Sequence, residues 1–514
     1  MDKLSDRRTS TSHSGTKRLL LPTQRSRRKF WARGRIVASS RSLPFHLKAL
    51  YGLGEVGEGA KTAALETFLF FYYVQVIGLS GSLTGLALMV ALLFDAVTDP
   101  MVGSWSDRLR TPLGRRHPFL YAAPVPLAIA LFLLFSPPEG SQALLAVWLT
   151  VFAIAARFAM TLYFVPHMAL GAELSDDFNE RIALGGYRTL FGYVGRIATL
   201  ALAFAIFFAN RPGFENGQLD PSSYPGLALA VGALVIVSVL ASAVGTQKAA
   251  LRTRAMRRAA TQVGAGALRS LREALRSGSF RSFFIALLIM YLYNGVQFAL
   301  ALHMNSYFWE LPPEKIQFVM YAGMAGYLLG VPLTRPASGL FDKKAIYIAG
   351  IVGSVLLSSG PTIFRLIGWM PPNGSESLFY ILVSAGFGSG MIGALPVVLS
   401  SAMLADLADE YDHDHSTRAE GLFFGVNAFC RKAALGLGGA VAGVLIDAIR
   451  FPAKAVPGEV APDLLVRLGV VYAPVMLLIL FVGLSFMRGY RLSRERHAMI
   501  LAKLDGRQAA GSGD

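Results

Sequence analysis

Apolar residues arrive along this chain in twelve long runs, near positions 50–77, 84–105, 118–136, 144–170, 183–208, 224–245, 282–303, 315–335, 345–367, 378–403, 420–447 and 464–487. A run of roughly 18 or more apolar residues can cross a bilayer as a helix. Inside hydrocarbon every backbone N–H and C=O must be satisfied within its own segment, so these runs are helices. They are also too long for the strands of a membrane barrel. Only 16% of the 514 residues are charged, and the mean hydropathy is +0.48. Soluble domains average about 25% charged residues. There are too few charges to coat the two or three soluble domains a chain of this length would form. Soluble enzyme, nucleic-acid binder and disordered protein are therefore excluded. The single cysteine, Cys430, excludes an internal disulfide and any Cys-clustered metal site.

Twelve crossings put both ends on one side. The net charge of +17 shows which side. Thirty-seven of the 49 Lys and Arg fall in the two tails and in the loops on that side, whereas the opposite loops hold Arg211, Lys315, Arg450, Lys454 and Arg467. Positive charge marks the cytoplasmic side of a membrane protein, so both termini are expected there. The basic balance is then a topology signal with an affinity for anionic lipid. The plasma or inner membrane is the expected location.

The longest basic loop divides the chain into two halves. The expected organisation is a disordered basic tail at 1–46 and a six-helix half at 47–245. A cytoplasmic loop at 246–281, a second six-helix half at 282–490 and a tail at 491–514 follow. A weak repeat supports the division. Pro100-x-x-Gly103 followed by Asp107-Arg108 closes the second run, and Pro336-x-x-Gly339 followed by Asp342-Lys343-Lys344 closes the eighth. Parallel halves of this kind are the signature of a six-plus-six transporter.

Seven basic residues lie within the apolar runs: Lys61, Arg157, Arg188, Arg196, Arg365, Arg431 and Lys432. So do Glu55, Glu58, Glu66, Asp95 and Asp99. An ion at the bilayer centre costs at least about 2.5–3.5 kcal/mol, so such groups face a bundle interior or a wet cavity. Asp95 and Asp99 are spaced i, i+4 and share one helix face. Their carboxylates repel unless a cation or proton sits between them. Thr98 adds a nearby oxygen, and such hard donors suit Na⁺ or H⁺. Arg188 and Lys432 are candidates to pair with these carboxylates or to hydrogen-bond a polar solute. Glu55 and Glu58 share a face, and either can line a cavity or balance Lys61.

Other motifs carry less. Gly388-Ser-Gly-Met-Ile-Gly393 matches a nucleotide fingerprint but lies inside an apolar run, where close helix packing explains it. Asp412-His-Asp-His415 reads as a solvated charge run in a cytoplasmic loop, without further spaced ligands for a metal. No H-E-x-x-H, G-x-S-x-G or catalytic acid/base spacing is present, so no enzyme and no cofactor are expected.

A set of motifs, in order, resembles the glycoside–pentoside–hexuronide:cation symporters, the melibiose-permease branch of the major facilitator superfamily. They are Phe94-Asp-Ala-Val-Thr-Asp-Pro-Met-Val-Gly103, Gly114-Arg-Arg-His-Pro-Phe119, Val165-Pro-His-Met-Ala-Leu-Gly-Ala-Glu173, Glu180-Arg181, Tyr293-Asn294, Ala405-Asp-Leu-Ala-Asp-Glu-Tyr411 and Arg418-Ala-Glu-Gly421. The likeness spans roughly residues 47–490. It implies an all-α fold of twelve transmembrane helices in two six-helix halves. It places Asp95, Thr98, Asp99 and Thr161 at a cation site, Arg188 near the solute, and Lys432 at the lysine of helix eleven. The melibiose permeases' helix-one Lys-Asp falls on Glu58-Gly59, their helix-four aspartate on Phe164 and a tryptophan on Met168. The cation site is thus better kept than the galactoside site.

The expected function is cation-coupled symport of a sugar or glycoside by alternating access. Glu58, Arg188, Asn294 and Lys432 would contact the solute. Asp107 with Arg108, Arg115 and Arg116, and Asp342 with Lys343, would form latches on the basic side. A lysophospholipid or amphiphile carrier of the same fold, and a non-transporting scaffold or sensor, are the alternatives. The expected partners are a small solute and membrane lipid, with no nucleic acid, and a monomer suffices. The topology is checked with reporter fusions: a fusion after Ala249 should report the cytoplasm and one after Gly458 the other side.

Overall fold

A computed structural model describes residues 42–209, 216–254, 275–415 and 420–511. Most of the basic tail expected at 1–46, and the centre of the loop at 246–281, lie outside the described residues. Twelve long helices account for the apolar runs. In the first half, α1 is Phe45–Ala63, prolonged by π-helical turns over Ala64–Leu69 and Tyr72–Ile77. It is followed by α2 (Gly81–Arg108), α3 (His117–Leu134), α4 (Gln142–Leu174), α5 (Phe178–Leu202, with Ala203–Phe207) and α6 (Ser223–Arg254). The second half holds α7 (Gly278–His303, with Met304–Phe308), α8 (Pro313–Leu340), α9 (Lys343–Leu366), α10 (Glu376–His415), α11 (Glu420–Ala448) and α12 (Pro462–Gly489).

Three boundaries differ from the sequence expectation. The helix α6 runs on to Arg254 and α10 to His415, because polar residues beyond the membrane continue a helix without cost to the backbone. The tail at 491–514 carries a further helix, α13 (Arg494–Gly511), which packs on α10.

Local sequence sets the ends. Gly78 closes α1 at φ +87°, a left-handed conformation that suits glycine. Ser80, Ser141, Asp177 and Ser277 then cap α2, α4, α5 and α7, each accepting a backbone N–H with its side chain. Eleven of the helices are long and apolar enough to cross a membrane by composition. The helix α1 carries Glu55, Glu58, Lys61 and Glu66, and it is not among them. It is wedged between α5 and α6, where those charges meet partners.

The two halves repeat one packing scheme. In the first, α1 packs on α5 and α6, α2 on α4, and α3 on α4 and α6. In the second, α7 packs on α11 and α12, α8 on α10, and α9 on α10 and α12. Small residues allow the close approaches. A Cβ on Gly59 would strike the Gly192 carbonyl of α5, and one on Gly195 would strike the Val56 carbonyl. Of the glycines of 388–393, Gly390 faces α8, where its Cβ would strike Gly323 as one on Gly326 would strike Phe387, and Gly388 and Gly393 face Leu357 and Ser354 of α9. That stretch is a helix contact, as its apolar setting implies.

The halves meet chiefly along α2 and α11. Call the ends that carry the α2–α3, α4–α5, α8–α9 and α10–α11 connections the basic face. At the other face, Gly81 and Gly85 of α2 lie against the backbone at Gly443 and Gly439 of α11. The Asp447 carboxylate of α11 accepts the backbone N–H groups of Gly81 and Ser82, both at 2.8 Å. One half thus caps a helix of the other, with the negative group at the positive helix end. Nearby, the Tyr307 hydroxyl of α7 lies 3.2 Å from the Gln75 side chain of α1. At the basic face, a Cβ on Gly185 or Gly186 of α5, or on Gly421 or Gly425 of α11, would meet only open space. The bundle is closed at the face that carries Gly81 and Gly443.

Gly443→Val should wedge α2 from α11 and open the closed face. In a Cys430→Ser background, thiol labelling at Ser82→Cys should rise severalfold over the variant with Gly443 intact.

Candidate functional site

Five carboxylates and five cations meet in the middle of the bundle. The helix α2 supplies Asp95 and Asp99 one turn apart, both on the face that meets α4 and α11. From α4, the Thr161 hydroxyl lies 2.7 Å from Asp95 Oδ1 and 3.1 Å from Asp99 Oδ1. Its single proton serves one carboxylate at a time. From α11, across the boundary between halves, Lys432 Nζ lies 2.9 Å from Asp95 Oδ2 and donates to Asp99 Oδ2 at 2.5 Å. Arg157, one turn before Thr161 on α4, reaches Asp95 Oδ2 at 3.7 Å. The cation that two facing carboxylates require is thus supplied by Lys432.

Thr98 is buried beside them, but its hydroxyl donates to the Asp95 backbone carbonyl at 3.2 Å. The oxygen expected from Thr98 therefore points at its own helix, and Thr161 is the hydroxyl that joins both carboxylates. Arg188 does not pair with the aspartates. Its Nε donates to Glu55 Oε1 at 2.6 Å and its guanidinium packs over the Phe164 ring at 5.4 Å. His167 and Tyr51 complete that group.

Of the two glutamates that share a face of α1, Glu55 is therefore the one that meets Arg188. Glu58 accepts from Thr62 Oγ1 at 2.7 Å and pairs with Lys61 at 3.3 Å. Glu66 pairs with Arg196 of α5 at 3.3 Å. Asn294 is half-buried on α7 and, among the described residues, no hydrogen bond joins it to these groups. Arg431 is exposed and leaves Lys432 alone facing the aspartates.

Of the residues expected to latch, Asp107, Arg115, Arg116 and Lys343 make ion pairs, each within its own half. Arg116 bonds Asp107, donates to Ser106 Oγ at 2.5 Å and to Glu173 at 3.0 Å, and Arg115 pairs with Glu173 at 3.0 Å. These contacts tie the basic ends of α2, α3 and α4 together. Arg108 is exposed, and no ion pair joins it to this group among the described residues. In the second half, Lys343 pairs with Asp406 of α10 at 2.6 Å and not with its neighbour Asp342, whose side chain makes no cap bond. A carboxylate next in sequence at a helix start points away from the lysine that follows it. Asp406 on α10, 63 residues along the chain, stands opposite instead.

Sequence reasoning left Arg157 and His167 without a role and did not choose between Glu55 and Glu58. The signal for the first was spacing: Arg157 and Thr161 are i, i+4 on α4, and Phe164 and Met168 continue that stripe.

Comparison with known proteins identifies the family. The family model described as MFS/sugar transport protein matches residues 50–494. A putative glycoside/cation symporter of Escherichia coli, YagG, is 25% identical over 90% of this chain and 95% of its own. The sodium-dependent lysophosphatidylcholine symporter 1-A of Danio rerio is 24% identical, over 95% of this chain and 91% of its own. Among solved structures, the nucleoside transporter NupG superposes with a TM-score of 0.60 at 14% identity, over 87% of this chain and 99% of its own, which speaks to the fold alone. This chain belongs to the MFS/sugar transport protein family, and it is an integral membrane protein.

Breaking a buried ion pair on one side costs about 3–5 kcal/mol, because the partner is left uncompensated. Lys432→Met should therefore lower the unfolding temperature in detergent well below that of the native protein. Adding Asp99→Asn should restore most of the loss, since Asp95 keeps Arg157 and Asp99 is the charge left uncompensated.

Proposed function

We propose that this member of the MFS/sugar transport family is a secondary active transporter, in which Na⁺ or H⁺ moving down its gradient drives entry of a sugar or glycoside. The observation that carries the reading is the convergence of Asp95, Asp99 and Thr161 on one cation donated by the other half. The donor set fits a coupling ion: two carboxylates and a hydroxyl are hard oxygen ligands for Na⁺ and equally proton acceptors. Such a cation neutralises the two carboxylates, the service that Lys432 performs in this structure.

Lys432 and a small cation compete for the same oxygens. When Asp95 and Asp99 are satisfied by the coupling ion, the ammonium is released from α2 and is free to hydrogen-bond a solute. When they are not, Lys432 ties α11 to α2. Cation occupancy and the link between halves are thereby coupled, as alternating access requires. The solute would lie between the halves, near Arg188, Lys432 and Asn294. Glu58 is held by Lys61 and Thr62, so Glu55 is the better-placed carboxylate on α1. The close backbone approach of Gly81 and Gly85 to α11 closes the face opposite the basic face. By the positive-inside bias the basic face is the cytoplasmic one. Asp107, Arg115 and Arg116, and Lys343 with Asp406, hold the ends of each half rigid so that each moves as a body. The setting is the plasma or inner membrane.

A second reading, an amphiphile or lysophospholipid carrier, is favoured by one feature. Phe164 covers the Arg188 guanidinium and Met168 is 48% exposed, so the path past Arg188 is partly apolar.

Uptake into proteoliposomes separates the two. Under an imposed Na⁺ or H⁺ gradient, one member of a panel of glycosides, pentoses and uronic acids should accumulate. Asp95→Asn should cut that gradient-driven uptake at least about tenfold, a loss of about 1.4 kcal/mol in coupling. Accumulation of lysophospholipid with no sugar uptake under either gradient would favour the second reading.

A further inference from the structure

Beside the aspartate pair lies a second group of buried ionisable side chains, set where α1, α4 and α5 meet. His167 is 0% exposed and Glu55 5% exposed. The imidazole lies between two phenol rings, Tyr51 at 4.4 Å and Tyr163 at 4.8 Å between centroids, each within about 22° of parallel. The ring is thereby fixed in orientation, and its two nitrogens face different partners. Nε2 lies 3.0 Å from the Tyr51 backbone carbonyl. A carbonyl oxygen only accepts, so Nε2 carries a proton. In a neutral imidazole the other nitrogen, Nδ1, is then a bare acceptor. Nδ1 faces Glu55 Oε1 at 3.4 Å and, among the described residues, has no hydrogen-bond partner. Two acceptors opposed in a buried site repel, and one proton between them turns the repulsion into a charge-assisted hydrogen bond. The flanking aromatic faces favour the imidazolium that this proton creates.

We propose that Glu55 and His167 together bind one dissociable proton, forming a proton site separate from the Asp95–Asp99 pair. The groups that face it are Arg188 from α5, Tyr51 from α1, Tyr163 from α4, the Ser242 hydroxyl from α6, and His117 of α3, which lies against Thr246 of α6. Glu58, one turn along α1, is engaged by Lys61 and Thr62. Arg188 shares the same oxygen of Glu55 that faces His167. Protonation at His167 therefore draws Glu55 toward the imidazole and loosens its hold on Arg188, whose guanidinium becomes available to a solute. Proton binding and solute binding are then linked through one carboxylate oxygen. The presence of the proton does not depend on the transport reading, but its link to a solute does.

The test uses the full-length protein in lipid bilayers with ¹⁵N-labelled histidine. The His167 resonances are identified by their loss in His167→Gln. The expected result is a protonated Nε2 throughout and an Nδ1 that is protonated on the acid side and loses that proton on raising the pH through the range of about 5–8 in which histidine titrates. Infrared difference spectra of the native protein and Glu55→Gln read the carboxyl side of the pair. A carboxylic-acid C=O band that is lost in Glu55→Gln and fades over the same pH range equally supports the shared proton. An Nδ1 that stays bare across that range, with Glu55 ionised throughout, overturns the proposal. Neither measurement needs a known solute, so failure of the proton site is distinguishable from failure of the transport reading.

Discussion

Charge neutrality inside hydrocarbon is the constraint on which this structure depends. An unpaired ion there is costly, so each of the five carboxylates within the first two apolar runs has a cation beside it. Glu55 has Arg188, Glu58 has Lys61, Glu66 has Arg196, and Asp95 and Asp99 share Lys432, with Arg157 behind Asp95. The helix that carries most of them, α1, is less apolar than the eleven that qualify as spans by composition, and α5 brings two arginines to its carboxylates.

This balance also orders the pairs by what they can do. Lys61 with Glu58, on one helix, and Arg196 with Glu66, between two helices of one half, bind the first half together. Lys432 with Asp95 and Asp99 is the pair that crosses from one half to the other, so it is the one whose making and breaking changes how the halves sit. The arginine and lysine of the basic face are of the first kind. Arg116 and Lys343 each find an acid within their own half, which stiffens the two bodies that are joined along α2 and α11.

Much of this was legible in the residues. The twelve runs appear as helices, and two halves of like packing follow the repeat at Pro100 and Pro336. The shared face of Asp95 and Asp99 is a consequence of i, i+4 spacing on any helix. The wedge of glycines at 388–393 is a helix contact because no other fate is open to it in an apolar run. Less legible was the choice between near-equivalent groups. Glu55 and Glu58 are i, i+3 on one face, and only the lateral position of α5 decides that Arg188 meets the first. Thr98 and Thr161 both offer a hydroxyl, and only the approach of α4 to α2 selects the second. Asp342 adjoins Lys343 in sequence, yet the geometry at the start of α9 turns the lysine to Asp406.

The sequence alone determines that the chain is a membrane-embedded bundle of helices, which side carries its positive charge, and that carboxylates must be held inside it. These follow from period, length and the cost of an unsatisfied group in hydrocarbon, which are properties of each segment by itself. Tertiary structure alone decides which cation answers which carboxylate, because helices far apart in the chain are brought within hydrogen-bond distance only by packing. Lys432 lies 333 residues from Asp99, and no local rule of the chain connects them.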